Sequence, residues 1–128
     1  ETGAVVSMQE MFYGATAFDQ NIGQWNVTAV EDMANMFKGA TAFNQDISAW
    51  NTGKVTTMYT MLMQAYSFNQ NLNTWNTNKV TAMNSMFYGA SSFNGAIGSW
   101  DTSNVATMER MFLLCCVLEM RKVEGYLN

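Results

Sequence analysis

The residue types that most often carry out chemistry in proteins are scarce in this chain. It contains no histidine, which removes the usual general base and the commonest metal ligand. The carboxylates are scattered singly, as Asp19, Asp46 and Asp101, apart from the neighbours Glu31 and Asp32, and none has a partner at a spacing that builds a site. We therefore expect no enzyme activity, no cofactor and no bound metal.

The only two cysteines, Cys115 and Cys116, are adjacent. Neighbouring cysteines rarely bond to each other, so the sequence predicts no disulfide framework and a fold held by packing alone. The favoured interpretation is two small buried apolar residues in a last helix, with metal, redox or intermolecular roles as the alternatives.

Composition and charge restrict the partners. The net charge is -4 and the few basic residues form no cluster, which argues against nucleic acid or an anionic membrane as the main partner. No apolar run approaches the length of about 18 to 20 residues that a membrane span requires, so we expect no membrane insertion.

The first residues indicate the secretory pathway, in which a glycan could be attached to the chain. Residues 1–3 resemble the scar that signal cleavage leaves in a secretion vector, and we exclude them from reasoning about the fold. Asn26 begins the sequon Asn26-Val27-Thr28 and is a candidate glycosylation site. The expected location is extracellular or at the cell surface.

Tryptophan recurs every 25 residues, at Trp25, Trp50, Trp75 and Trp100, and the other apolar residues keep the same register. The working consensus is WNTxxVTxMxxMFxGAxxFNQxIxx, and it occurs nearly five times over residues 4–112. Such a short repeat cannot bury its apolar face alone, so the copies are expected to stack on one another.

Within one repeat the apolar spacing predicts a helix of about ten residues followed by a short strand. The buried face of the helix is formed by Val30, Met33, Met36, Phe37 and Ala40. The helices of successive repeats are expected to start at Thr28, Gly53, Asn78 and Ser103. They are expected to end at Gly14, Gly39 and Gly89. Gln64 replaces glycine in the third repeat, which predicts either a left-handed non-glycine residue or an altered turn. The strand is placed around Ile47.

These elements predict an α/β fold, a short solenoid with the strands on its concave side. Side chains that flank the inward Ile or Leu are the candidate partner-binding face, namely Asn21, Asp46, Ser48, Asn71 and Asn73. The column Asn44, Asn69 and Asn94 is expected to satisfy turn amides of successive repeats.

The segment MANMFKGATAFNQDISAWN, residues 33–51, resembles the 25-residue repeat first described in mycoplasma lipoproteins, a relative of the BspA-like leucine-rich-repeat surface proteins. The resemblance covers Val5 to Phe112. It implies a short right-handed α/β solenoid of the leucine-rich-repeat type, displayed on the cell surface and without catalytic residues. Adhesion or binding of a host protein has been proposed for relatives. Residues 113–128 depart from the pattern, and we interpret them as a continued helix that caps the stack. The alternative is a truncated boundary with an exposed patch that self-associates.

Three functions follow as expectations. The first is a module for adhesion or protein–protein interaction with an unidentified protein partner. The second is a structural spacer or self-assembling stalk, with homo-oligomers formed through the ends of the stack. The third is a flat face that binds ice or a glycan, suggested by Thr52, Thr77 and Thr102 in register.

Overall fold

Successive repeats lie one above another in the computed structural model, which describes residues 2–116. The Trp50 and Trp75 rings are parallel within 2° with centroids 6.3 Å apart, and Trp75 and Trp100 repeat this geometry. Phe43 and Phe68 stack in the same way at 5.8 Å. The prediction that residues 25 positions apart occupy equivalent places is confirmed.

The predicted α/β solenoid of helix-plus-strand repeats is wrong, because residues 2–116 contain no helix and no extended strand. Residues 30–40, expected to be helical, form a series of tight turns. Asn35, in the middle of this segment, has a φ of 57°, and a left-handed residue of this kind interrupts any right-handed helix. The equivalent residues Glu10, Thr60, Ser85 and Arg110 share this conformation, with φ between 51° and 58°.

Backbone N–H groups in these turns alternate between two kinds of partner, neither of which is the carbonyl four residues back that a helix uses. One set donates to the next repeat over 2.8 to 3.2 Å, in the pairs Met33 to Thr57, Asn35 to Tyr59, Phe37 to Met61 and Gly39 to Met63. The other set donates three residues back within its own turn, as Met36 does to Met33. Each turn therefore presents donors to the repeat that follows and carbonyls to the repeat that precedes.

Extended pairing between repeats is limited to isolated parallel bridges in the described residues, which join Ser7, Asp32, Thr57, Ala82 and Thr107 in sequence. These bridges lie inside the segments predicted as helices. The predicted strand around Ile47 is wrong as well, since the chain turns there and the Ser48 N–H donates to Asp46 Oδ1 over 2.9 Å. The concave face lined by strands does not form.

Each repeat has a second left-handed position, which glycine holds in three of them. Gly14, Gly39 and Gly89 have φ of 67°, 74° and 70°, and Gln64 adopts the same conformation at 58°. Left-handed backbone at the glycines was expected, although the residues before them are not helical. Of the two alternatives for Gln64, the left-handed non-glycine residue is confirmed.

The core is a continuous column of methionine, valine, phenylalanine and isoleucine side chains. Met33, Met36 and Phe37 are fully buried, as predicted from their spacing. The Trp50 and Trp75 indole N–H groups donate to the carbonyls of Ile22 and Ile47 in the preceding repeat over 3.1 and 3.0 Å. Each of these tryptophans is thus a buried anchor whose indole N–H has a backbone acceptor.

Asparagine side chains join successive repeats at the corner before the inward Ile or Leu. Asn44 Oδ1 accepts from the Asn69 N–H over 2.9 Å, and Asn69 Oδ1 accepts from the Asn94 N–H over 2.7 Å. The structural role predicted for this column is confirmed.

The segment after Phe112 departs from the expectation where it is described. Residues 113–116 are not helical, and residues 117–128 of the predicted cap lie outside the described residues, as does Glu1. Cys115 and Cys116 are half-buried and lie outside any helix, and their sulfur atoms contact each other.

Candidate functional site

The five polar residues predicted to bind a partner lie close together in two adjacent columns. Asn21, Asp46 and Asn71 form one column and are exposed, whereas Ser48 and Asn73 belong to the next and are half-buried. The structure therefore brings the predicted set together, but on turns and not on strands.

Much of the hydrogen-bonding capacity of these side chains is used inside the fold. Asn21 Oδ1 accepts from the Gly23 N–H over 3.0 Å, and Asn71 Oδ1 accepts from the Asn73 N–H over 2.9 Å. Asn73 Oδ1 also accepts from the Ser99 N–H of the next repeat over 2.8 Å. Since these oxygens close turns and join repeats, their first role is to hold the corner in shape.

Two carboxylates in these turns are held in the ionised form. Hydrogen bonds from the Ser48 hydroxyl and then from the Ser48 backbone N–H lower the pKa of Asp46 below its ordinary value. Ser103 acts in the same way and lowers the pKa of Asp101. A carboxylate with a lowered pKa is a poor proton donor or base near neutral pH, so neither residue is suited to acid/base catalysis.

Within residues 2–116 no cluster of three or more potential metal ligands is present. The neighbouring carboxylates Glu31 and Asp32 do not form such a cluster. Asp32 Oδ1 accepts from the Ala34 N–H over 2.8 Å, and Glu31 is exposed beside it. No helix in the described part of the chain is both long and apolar enough to cross a bilayer.

The threonines that suggested an ice- or glycan-binding face lie inside the molecule. Thr52 and Thr77 are each 1% exposed, and their hydroxyls donate to the carbonyls of Asn76 and Asp101 over 2.9 Å. Thr102 is half-buried. This column therefore does not form an exposed face, and the expectation that Thr52, Thr77 and Thr102 bind ice or a glycan is wrong.

The glycosylation candidate Asn26 is exposed at one end of the stack. It borders an open depression of about 720 Å³ that is also lined by Thr2, Gly3, Ala4, Gln24 and Trp25. Asn26 Oδ1 accepts from the Thr28 N–H over 3.1 Å and contacts the Thr28 hydroxyl. The sequon thus forms a surface turn that remains open to solvent.

Large exposed side chains lie on the turns that contain the left-handed residues. Tyr59 and Tyr66 are 46% and 45% exposed and come from one short segment, 59–66, in which Met63 is half-buried. Tyr88 lies in the next repeat at the position of Met63. Tyr66 is close to that repeat, since a Cβ on Gly89 would lie 4.0 Å from Tyr66 Cε1. We call Tyr59, Met63, Tyr66 and Tyr88 the tyrosine patch.

Met63 and Tyr88 belong to one column of the repeat, which also holds Tyr13, Lys38 and Leu113. The Lys38 ammonium lies 5.4 Å from the Tyr13 ring centroid. Tyr66 was not singled out, because its column holds Thr16, Thr41 and Ser91 and carries no periodic aromatic signal.

Stacked turns, a shared core and polar corner ladders define this chain as a stacked-repeat protein. A family model described as "Mycoplasma protein of unknown function, DUF285" matches residues 1–79, more than half of the chain, and the chain belongs to this family. None of the curated proteins and none of the solved structures compared with the chain matches it.

Proposed function

We propose that this chain is a non-catalytic extracellular repeat module that binds another protein at a cell surface. The proposal is supported by the family match and by the resemblance of the repeat to that of the BspA-like surface proteins. An adhesive or recognition role needs no reactive group, and the described residues offer a regular surface with carboxylates that are held ionised.

The tyrosine patch is the single observation that carries the proposal. Tyrosine is enriched where proteins bind each other, since its ring supplies contact area and its hydroxyl a hydrogen bond. Tyr59 and Tyr66 are 46% and 45% exposed and are the large exposed hydrophobic side chains of the interior repeats. The polar columns, by contrast, already use several of their oxygens inside the fold. We therefore assign the main contact to the tyrosine patch and a rim contact to Asp46 and Asn71.

An affinity capture from a mixture of extracellular proteins tests this proposal, with three forms of the chain compared on the same material. These are the wild type, the double variant Tyr59→Ala/Tyr66→Ala, and the polar variant Asp46→Ala/Asn71→Ala/Asn73→Ala. Loss of two anchor tyrosines should weaken a specific partner at least about tenfold, since anchor residues each contribute about 2 kcal/mol or more.

The polar variant separates the two surfaces. A partner whose saturable binding falls in the tyrosine variant but not in the polar variant supports the assignment. A partner lost only in the polar variant would move the site to the corner columns. Capture that is unaffected by either set, or that never saturates, would argue against a protein-binding role for this part of the chain.

A further inference from the structure

One corner of the stack differs from its equivalents in the residue that follows its asparagine. We call Asp19, Asn44, Asn69 and Asn94 the Asn/Asp column, and all four side chains are exposed. Glutamine follows the first three of them, whereas Gly95 follows Asn94, and no other asparagine of the sequence precedes a glycine. Because glycine has no β-carbon, the backbone nitrogen of Gly95 is the least shielded of those that follow this column.

The glutamines of the other corners are fixed by the preceding repeat. Gln45 Nε2 donates to the backbone carbonyl and to Oδ1 of Asp19 over 3.0 and 2.9 Å. Gln70 Nε2 donates to the same two groups of Asn44 over 2.8 and 3.0 Å. These side chains therefore anchor the peptide bonds that join each glutamine to the asparagine before it. Gly95 has no side chain that could anchor its own peptide bond in this way.

The backbone at Gly95 also departs from the repeat. A β-carbon on Gly95 would lie 2.0 Å from the Gln70 carbonyl oxygen, although Gln45 and Gln70 carry β-carbons at the equivalent position. Beside it the Leu72 N–H donates to the Ala96 carbonyl over 3.1 Å, a bond that no other corner makes among the described residues. No described residue accepts the Gly95 N–H. This nitrogen thus lacks both a shielding side chain and a described acceptor.

We propose that Asn94 is a site of spontaneous deamidation, at which a neutral side chain of the Asn/Asp column becomes negatively charged as the protein ages. The Gly95 nitrogen loses its proton to hydroxide and attacks Cγ of Asn94. The bond from Cγ to Nδ2 breaks, and Nδ2 takes protons from water and leaves as ammonia, which regenerates the hydroxide. Water then opens the cyclic succinimide to aspartate or isoaspartate. The net reaction consumes water and releases ammonia, with no oxidation or reduction.

The fold accepts a carboxylate in this column because one is already there. Asp19 Oδ1 accepts from the Asn44 N–H over 2.9 Å, just as Asn44 Oδ1 accepts from the Asn69 N–H over 2.9 Å. A carboxylate oxygen therefore serves as the acceptor as well as a carboxamide oxygen does. Conversion of Asn94 to aspartate leaves the stack intact, whereas isoaspartate lengthens the main chain by one carbon where Gly95 already lies close to the preceding repeat.

This modification is independent of the proposed function, since it involves no residue of the tyrosine patch. Incubation of the folded chain at mildly alkaline pH, followed by acidic digestion and mass spectrometry of samples taken over time, tests it. Asn44 and Asn69 are internal controls in the same column. Asn94 should react at least about tenfold faster than either, which corresponds to about 1.4 kcal/mol in the activation free energy. Released ammonia should match the conversion.

Two variants test whether the following glycine is the cause. Gly95→Gln should slow Asn94 to the rate of Asn44 and Asn69. Because its β-carbon would meet the Gln70 carbonyl, the converse variant Gln70→Gly is made as well, and it should speed the reaction of Asn69.

Tryptophan fluorescence during the incubation shows whether each form stays folded, and a sample unfolded in urea gives the rate without the fold. The proposal is overturned if Asn94 in the folded wild type reacts no faster than Asn44 and Asn69, or if it reacts only in urea. It is also overturned if Gln70→Gly stays folded and leaves the rate at Asn69 unchanged.

Discussion

Replacing Trp75 with phenylalanine should cost far more stability than the same change at Trp25. Trp75 is 3% exposed, lies between two parallel indoles and donates to the Ile47 carbonyl over 3.0 Å. Loss of that hydrogen bond costs about 1 kcal/mol, and loss of part of a buried ring costs roughly 1 to 2 kcal/mol more. We expect the free energy of unfolding to fall by about 2 to 3 kcal/mol.

Trp25 is the matched control because it holds the equivalent position in the first repeat. It is half-buried, and no described residue accepts its indole N–H, so Trp25→Phe should cost less than about 1 kcal/mol. Equilibrium unfolding in urea, followed by the fluorescence of the remaining tryptophans, measures both values, and an unchanged slope confirms comparable transitions. Equal losses for the two variants would refute the argument that a carbonyl of the preceding repeat anchors each indole.

Further predictions concern the turns, the core and pH. Gly39→Ala places a side chain at a φ of 74° and should cost about 1 to 2 kcal/mol, whereas Gly98→Ala, with open space around it, should be neutral, as thermal unfolding will show. Leu62→Ala should cost about 2 to 5 kcal/mol because Leu62 is fully buried, and Leu113→Ala, at 49% exposure, should cost much less in the same urea titration. Asp46 has a lowered pKa in the folded chain, so its contribution to stability is present above the ordinary aspartate pKa and is lost as pH falls through the folded value. Asp46→Asn removes this contribution, so the variant should be less stable than the wild type near pH 7, and the difference should shrink as pH falls from about pH 5 to pH 3; an unchanged acid transition would contradict this.

The spacing of apolar residues predicted which side chains are buried but not the backbone that buries them. Met33, Met36 and Phe37 fall on one face of a helix, yet a chain of alternating turns places the same residues inside. The decisive residue is left-handed Asn35, whose equivalents include Thr60, a β-branched residue that gives no sequence signal for that conformation. The tertiary arrangement overrides local preference here, because each turn gains bonds to both neighbouring repeats.

Only part of the candidate site was predicted from the sequence as well. The spacing correctly placed Asp46 and Asn71 in one exposed column, since equivalent positions repeat throughout the stack. It could not tell that their oxygens close turns, because this depends on backbone geometry that was expected to be extended. Tyr66 was not predicted, because a tyrosine occurs at this position in one repeat only and a periodic pattern does not reveal a single departure from the repeat.

The parallel bridges between repeats also determine how this protein can change in length. Bridged backbone segments lie about 4.8 Å apart, so each repeat of 25 residues lengthens the stack by roughly that distance. The chain therefore uses about five residues for each ångström of stack length. Such a chain builds a thick, short pillar, unlike an extended linker that covers about 3.3 Å with one residue. Duplication or deletion of whole units should lengthen or shorten the pillar in equal steps, whereas an insertion of any other size shifts every later tryptophan out of line with the one below it.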